Sequence, residues 1–316
     1  MWSVAAPGFA GLRRAPRSVV RGALTDDRDR HGVGADSVAG GAGCSVGDAA
    51  MTADESLAAI RLKIERARDH LRDLQDQVGT FLATKPYEVG AKRDPSTRKP
   101  IYFVARITTT PAMLPAIAGD VLQNLRSALD HLAYRLEVVG LGRAPSDPRY
   151  IAYPIGDVEA EYPPRRNQTI KAARQEAKDA IDATKPYRGG NDVLWRLHKL
   201  NNIDKHRLLL TVGSAFRAVD LGAELSRTMR EAFPDRPAFP PMKTFISPAD
   251  RLFPLKVGDE LYIGGVDHPI NAQMEFRFDV ALGEPDVVEG EPLIETLLHM
   301  ADVVDGLVTG FKPHLA

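Results

Sequence analysis

The chain has 316 residues, 44% of them hydrophobic, with 41 Lys and Arg against 42 Asp and Glu. This is ample apolar material for one large or two ordinary domains, and the balanced charge removes any global electrostatic case for nucleic acid or an anionic membrane. The single cysteine, Cys44, excludes an internal disulfide and a thiolate metal site, which fits a reducing cytoplasm, and no apolar run approaches the ~20 residues that span a bilayer.

Residues 1–50 differ in kind from the rest. They hold nine Gly, ten Ala and six Arg but no Lys, without a helical or strand period, so they are expected to form a disordered tail. Three origins fit: a start placed too far upstream, an Arg-rich transit peptide, or a flexible arm. A mis-annotated start is the preferred expectation, because Met51 opens "MTADESLAAIRLKIE", where Thr52 and Glu55 make a capping-box pattern before a regular helix. "RRAPR" interrupts the apolar stretch that a secretory signal would need.

In that first helix Leu57, Ile60, Ile64, Ala67, Leu71, Leu74, Val78 and Phe81 recur in steps of three and four, a narrow heptad seam. The seam asks for another helix, either within the chain or from a second copy. "TKPYEVGAKRDPSTRKP" reads as a loop by its Pro, Gly and charge, and "IYFVARITT" as a strand. Pro111 and Pro115 mark the start of a second long helix with an apolar stripe through Ile117, Val121, Leu125, Leu129, Leu132, Leu136 and Val139, ended by Gly140 and Gly142.

A short basic helix is expected across 167–183, with Ile170, Ala173, Ala177 and Ile181 inward. "TKPYRGG" at 184–190 echoes "TKPYEVG" at 84–90, which is read as two similar helix-ending turns. A further helix over about 191–207 carries Leu194, Leu197, Leu200, Asn201, Asp204 and Leu208 along one side. Then "LLLTVGSAF", "MKTFI" and "ELYIG" are strand-like, and Met274, Phe276, Phe278 and Val280 alternate with polar residues as on a sheet with one wet face. A last helix from about Pro292 buries Leu293, Leu297, Ala301, Val304, Val308 and Phe311.

Two polar rows flank the stripe of the second helix: Gln123, Arg126, Asp130 and Tyr134, and beside them Asn124, Ser127 and His131. In the bland reading Arg126 and Asp130 form a surface ion pair and His131 a boundary hydrogen bond. In the functional reading Arg126 and His131 flank a groove; about 140° and ~7.5 Å of rise keep them from touching. Asp204, Lys205, His206 and Arg207 close the next helix, where cations meet unpaired carbonyls, and a functional version would bring Asp204 or His206 against His131. His198 and His206 lie about 12 Å apart along a helix and cannot chelate one metal, so no metal site is predicted. Between Arg165 and Arg207 eleven basic residues face five acidic ones, read as a solvated face or a local phosphate contact.

"NLRSALDHLAY" followed by "LWRLHKLNNIDKHRLLL" resembles a bacterial family, common in actinobacteria and their phages, that carries an LRSALDH element and a later DKHR element. The likeness covers most of the chain after Met51 and implies a shared fold but no activity. A looser likeness is to the HEPN superfamily of helical ribonucleases, whose pattern of Arg, a polar residue and a later His is matched by Arg126, Ser127 and His131. That resemblance implies a metal-independent ribonuclease, with the arginine on RNA phosphate in a dimer groove and the histidine assisting the 2′-hydroxyl.

The expected fold is α+β, a cluster of long helices packed on one face of an antiparallel sheet, in a single domain over 51–316. The expected function is a cytoplasmic bacterial HEPN-like ribonuclease with Arg126, His131, Asp204 and His206 as site residues, no cofactor, RNA as partner and a homodimer through helices. The alternative is a non-catalytic interaction or structural protein whose polar clusters stabilise the helical core.

Overall fold

The computed structural model describes residues 51–213, 218–220, 229–230, 232–234, 245–246, 253–271 and 274–316. The chain divides into two compact units, Met1–Ala42 and Gly43–Ala316, and all described residues lie in the second. The tail and start-site expectations fall on residues 1–50, outside the described ones, as do parts of the "LLLTVGSAF" and "MKTFI" segments.

Helix α1, Ala53–Ala83, starts where the sequence places it: the Thr52 hydroxyl accepts from the Glu55 N–H and the Glu55 carboxylate accepts from the Thr52 N–H. All eight seam residues are buried, against α2, Met113–Leu141, and against the C-terminal helix. The seam is therefore consumed within one chain, which removes it as the surface of a homodimer through helices. The α2 stripe is buried from Ile117 to Leu136, and Gly142 closes the helix in the left-handed region at φ 66°.

Between these helices the segment read as a loop contains a strand. β1, Tyr87–Arg93, pairs antiparallel with β2, Pro100–Ile107, from Tyr87 opposite Ile107 to Arg93 opposite Pro100. Asp94 builds the connecting turn: its carboxylate accepts from the Ser96 and Thr97 N–H groups and the Ser96 hydroxyl, which lowers its pKa to about 2. The turn and the partner strand override the polar composition of the segment.

The basic helix expected across 167–183 is two helices, α3 over Tyr162–Thr169 and α4 over Gln175–Ala183. The break is made by α2. Glu137, 5% exposed, accepts from the Ala172 and Ala173 N–H groups, and any side chain at Gly140 would collide with the Ala172 carbonyl. Ile170, Ala173, Ala177 and Ile181 are nonetheless all buried as expected. Helix α5, Asp192–Asp204, ends before Leu208, which is half exposed rather than inward.

The remaining strands are β3 Thr211–Gly213, β4 Ala218–Asp220, β5 Phe245–Ile246, β6 Glu260–Ile263, β7 Phe276–Arg277 and β8 Val280–Leu282, followed by α6, Leu293–Gly310. The fold is α+β, as expected. Among the described residues the strands form three small antiparallel sheets, ordered β1-β2-β6, β3-β8 and β5-β4-β7, instead of one. The expected continuous strand at 274–282 is interrupted at Phe278 and Asp279, and Val280, Ala281 and Leu282 are all buried without alternation. Helices and strands share one core, in which Tyr87, Val104, Leu261 and Leu282 join the helix seams.

Candidate functional site

Arg126 and His131 leave α2 toward different surroundings. Arg126 is 7% exposed; its Nη2 donates to the Tyr153 carbonyl at 2.8 Å and pairs with Asp130 Oδ1 at 2.8 Å. The Tyr153 N–H donates back to Asp130 at 2.9 Å, so the i, i+4 pair grips both backbone groups of one residue on the crossing segment. Burial lowers the Arg126 guanidinium, and burial raises the Asp130 carboxyl against the opposing pull of Arg126, the Tyr153 N–H and Lys205. This is a buried staple, not the surface pair of the bland reading.

His131 is exposed. It lines a cavity of about 450 Å³ between the start of α1, α2 and the short 3-10 turn Pro148–Tyr150. Asp130 and Tyr134 face the same space from α2, and Met51, Ser56 and Ile60 face it from the first turns of the domain. Arg135 closes one side, with Nη2 donating to the Met51 carbonyl at 2.7 Å. Burial holds the His131 imidazole below its ordinary pKa, Lys63 of α1 adds to this, and Asp130 opposes it.

The DKHR residues serve four different places. Asp204 lies against the backbone of Gly119 on α2, and burial with the neighbouring Asp120 raises its carboxyl. Lys205 acts on Asp130 at longer range. His206 is exposed. Arg207 forks onto the fully buried Glu284, with Nη1 to Oε1 at 2.9 Å and Nη2 to Oε2 at 2.7 Å, while the Leu210 N–H donates to the same carboxylate. Among the described residues no hydrogen bond or ion pair joins Asp204 or His206 to His131, so the composite constellation of Arg126, His131, Asp204 and His206 is not assembled. The helices α2 and α5 are packed neighbours, and Asp204 meets α2 at Gly119.

One residue weighed only as a metal ligand proves to stand within electrostatic reach of Arg126, Arg165 and Lys199. His198 on α5 takes its Nε2 to Asn202 at 3.1 Å and to Arg165 at 3.4 Å, and burial, with Arg126 and Arg165, pushes it down to about 3. Its neutral imidazole has a buried Nδ1 without a hydrogen-bond partner among the described residues, as does Arg126 Nη1. Lys199 and Asp157 pair beside it at 2.7 Å. Among the described residues no group of three or more His, Cys, Asp or Glu is placed to hold a metal ion, and no helix is long and apolar enough to cross a membrane.

Arg135 was legible in principle, one turn after His131 on the same helix; Tyr153 was not, because it acts through its main chain. The cavity wall carries a carboxylate, an imidazole and a guanidinium beside apolar side chains. No family model, curated protein or solved structure matches the chain.

Proposed function

We propose that the protein is a non-catalytic binding protein of the cytoplasm, in which the polar rows of α2 hold the helical layer together and the cavity beside His131 receives the ligand. One observation carries this reading: the Arg126 guanidinium is buried and shared between the Tyr153 carbonyl and Asp130. An arginine that holds RNA phosphate must present its donors to solvent. The chain's single cysteine, Cys44, supports a reducing compartment.

The ribonuclease reading keeps one supporting observation, the exposed His131 beside Asp130 at the cavity. Its arginine would have to be replaced by another cation, such as Lys63 of α1. Incubation of the purified full chain with mixed RNA in EDTA, beside His131→Ala, separates the two. The binding reading expects no cleavage above background. EDTA-resistant cleavage that disappears in the variant overturns it.

A further inference from the structure

We infer that the seam between α2 and α5 is a binding site for an ordered water molecule, held by Arg126, His198 and Asn201. Two relationships fix how the helices run. Asp204 meets α2 at Gly119, and Arg126 is the charge that acts most strongly on His198. Gly119 to Arg126 is seven residues, a rise of ~10.5 Å, and Asp204 back to His198 is six, a rise of ~9 Å, so the helices pass antiparallel with these residues at the two ends of the seam. Asn201 lies between His198 and Asp204, three residues from each on one row of α5, and is 1% exposed.

Four polar atoms of this seam are left over once the fold's own bonds are made. Arg126 Nη2 serves the Tyr153 carbonyl and Asp130, whereas Nη1 is buried and without a hydrogen-bond partner among the described residues, as are His198 Nδ1 and both amide atoms of Asn201. The tautomer of His198 follows from its other nitrogen. Arg165 Nη1 approaches Nε2 at 3.4 Å and Asn202 Nδ2 approaches it at 3.1 Å; a guanidinium can only donate, so Nε2 accepts and the neutral ring carries its proton on Nδ1. The seam therefore offers N–H donors from Arg126, His198 and Asn201, and one acceptor, Asn201 Oδ1. A cation would face three donors, and an anion would face the Asn201 oxygen. Water both accepts and donates, and a buried water typically makes about three hydrogen bonds to groups that the fold leaves unpaired.

Nitrogen NMR of the full chain with labelled histidine reads the tautomer, the His198 signals being assigned by their loss in a His198 variant. A proton on Nδ1 and a bare Nε2 are expected at neutral pH, and a proton on Nε2 overturns the inference. Cross-relaxation between water and the Asn201 side-chain amide protons reads the occupant. The sign given by a molecule held longer than the protein takes to tumble is expected, and its absence overturns the inference. Asparagine places its amide nitrogen where histidine has Nδ1, and glutamine places its own near Nε2. His198→Asn is therefore expected to keep the bound-water signal and His198→Gln to reduce it severalfold, whereas equal signals in the two folded variants overturn the inference. Chloride relaxation enhanced by the wild type but not by His198→Gln would make the occupant an anion and likewise overturn it. Should neither variant fold, the water signal at Asn201 in the wild type decides.

Discussion

The Asp204 carboxylate lies so close to Gly119 that a Cβ at position 119 would collide with both of its oxygens. Ordinarily Gly→Ala inside a helix stabilises by about 1 kcal/mol. Here Gly119→Ala is expected to lower stability in urea denaturation, because the short Asp204 side chain at the end of α5 must move off α2. In an Asp204→Ala background the same change is expected to revert to stabilising. A double-mutant cycle reads the sign reversal directly, and two additive effects would rule out the contact as its cause.

The same carboxylate carries a pH signature. Burial and Asp120 raise its folded pKa, so the folded chain holds this proton more tightly than the unfolded chain, and stability from this group is lost as pH rises through the carboxylate range. Asp204→Asn is expected to raise the melting temperature at pH 7 and to gain little at pH 4. A gain that stays constant across this range would assign the effect to packing instead of charge.

Much of the helical layer was legible because its signal is periodic. Every seam residue from Leu57 to Phe81 is buried, since a 3.5-residue repeat admits one face only. The echo of "TKPY" was legible too: Thr84 and Thr184 both turn their hydroxyls back to a carbonyl three residues earlier, Phe81 and Ile181. Illegible were the features decided across the chain. Nothing local announces that Glu137 will capture the Ala172 and Ala173 amides, that Arg207 will meet Glu284, or that Arg126 will face a main-chain carbonyl. The polar residues of LRSALDH and DKHR look alike whether they bind a ligand or a neighbouring segment. Burial separates the two, and burial is a property of the fold.

Both partners of the Arg126–Asp130 staple are perturbed first by burial, so desolvation outweighs their mutual attraction. Breaking such a pair still costs more than removing it. Arg126→Met is expected to lower unfolding free energy by about 3 kcal/mol, because Asp130 and the Tyr153 carbonyl lose their donor. Arg126→Met with Asp130→Asn is expected to cost less than the sum of the two single changes. Urea denaturation of the four proteins measures the coupling, and simple additivity would argue against a staple.

His198 is expected to contribute to the acid sensitivity of the fold. Its folded pKa of about 3 lies below the ordinary value, so as pH falls below about 6.5 the unfolded chain takes up a proton that the folded chain refuses. Stability is lost on acidification at about 1.4 kcal/mol per pH unit from this group, on the order of 2 kcal/mol between pH 6.5 and 5. Unfolding free energies of wild type and His198→Gln at these two values test it. The variant is expected to lose correspondingly less, and parallel losses would place the acid sensitivity elsewhere.

The two echoed turns offer a stabilising change. Lys85 and Lys185 follow the C-caps of α1 and α4 with φ of 53° and 47°, a left-handed conformation that a side chain resists, whereas α2 places Gly142 at its own C-cap. Both lysines are exposed, and their N–H groups close the turns onto Leu82 and Asp182. Glycine keeps those bonds and relieves the strain, at the cost of a more flexible unfolded chain. Lys85→Gly and Lys185→Gly are each expected to raise unfolding free energy by about 0.5–1 kcal/mol, additively, since the two turns belong to different helices. Gly142→Ala is expected to move stability the other way by about 1 kcal/mol. Thermal denaturation of wild type, the three single variants and the lysine double variant checks the set, and a loss of stability in both lysine variants would mean that the lysine side chains make contacts worth more than the strain they impose.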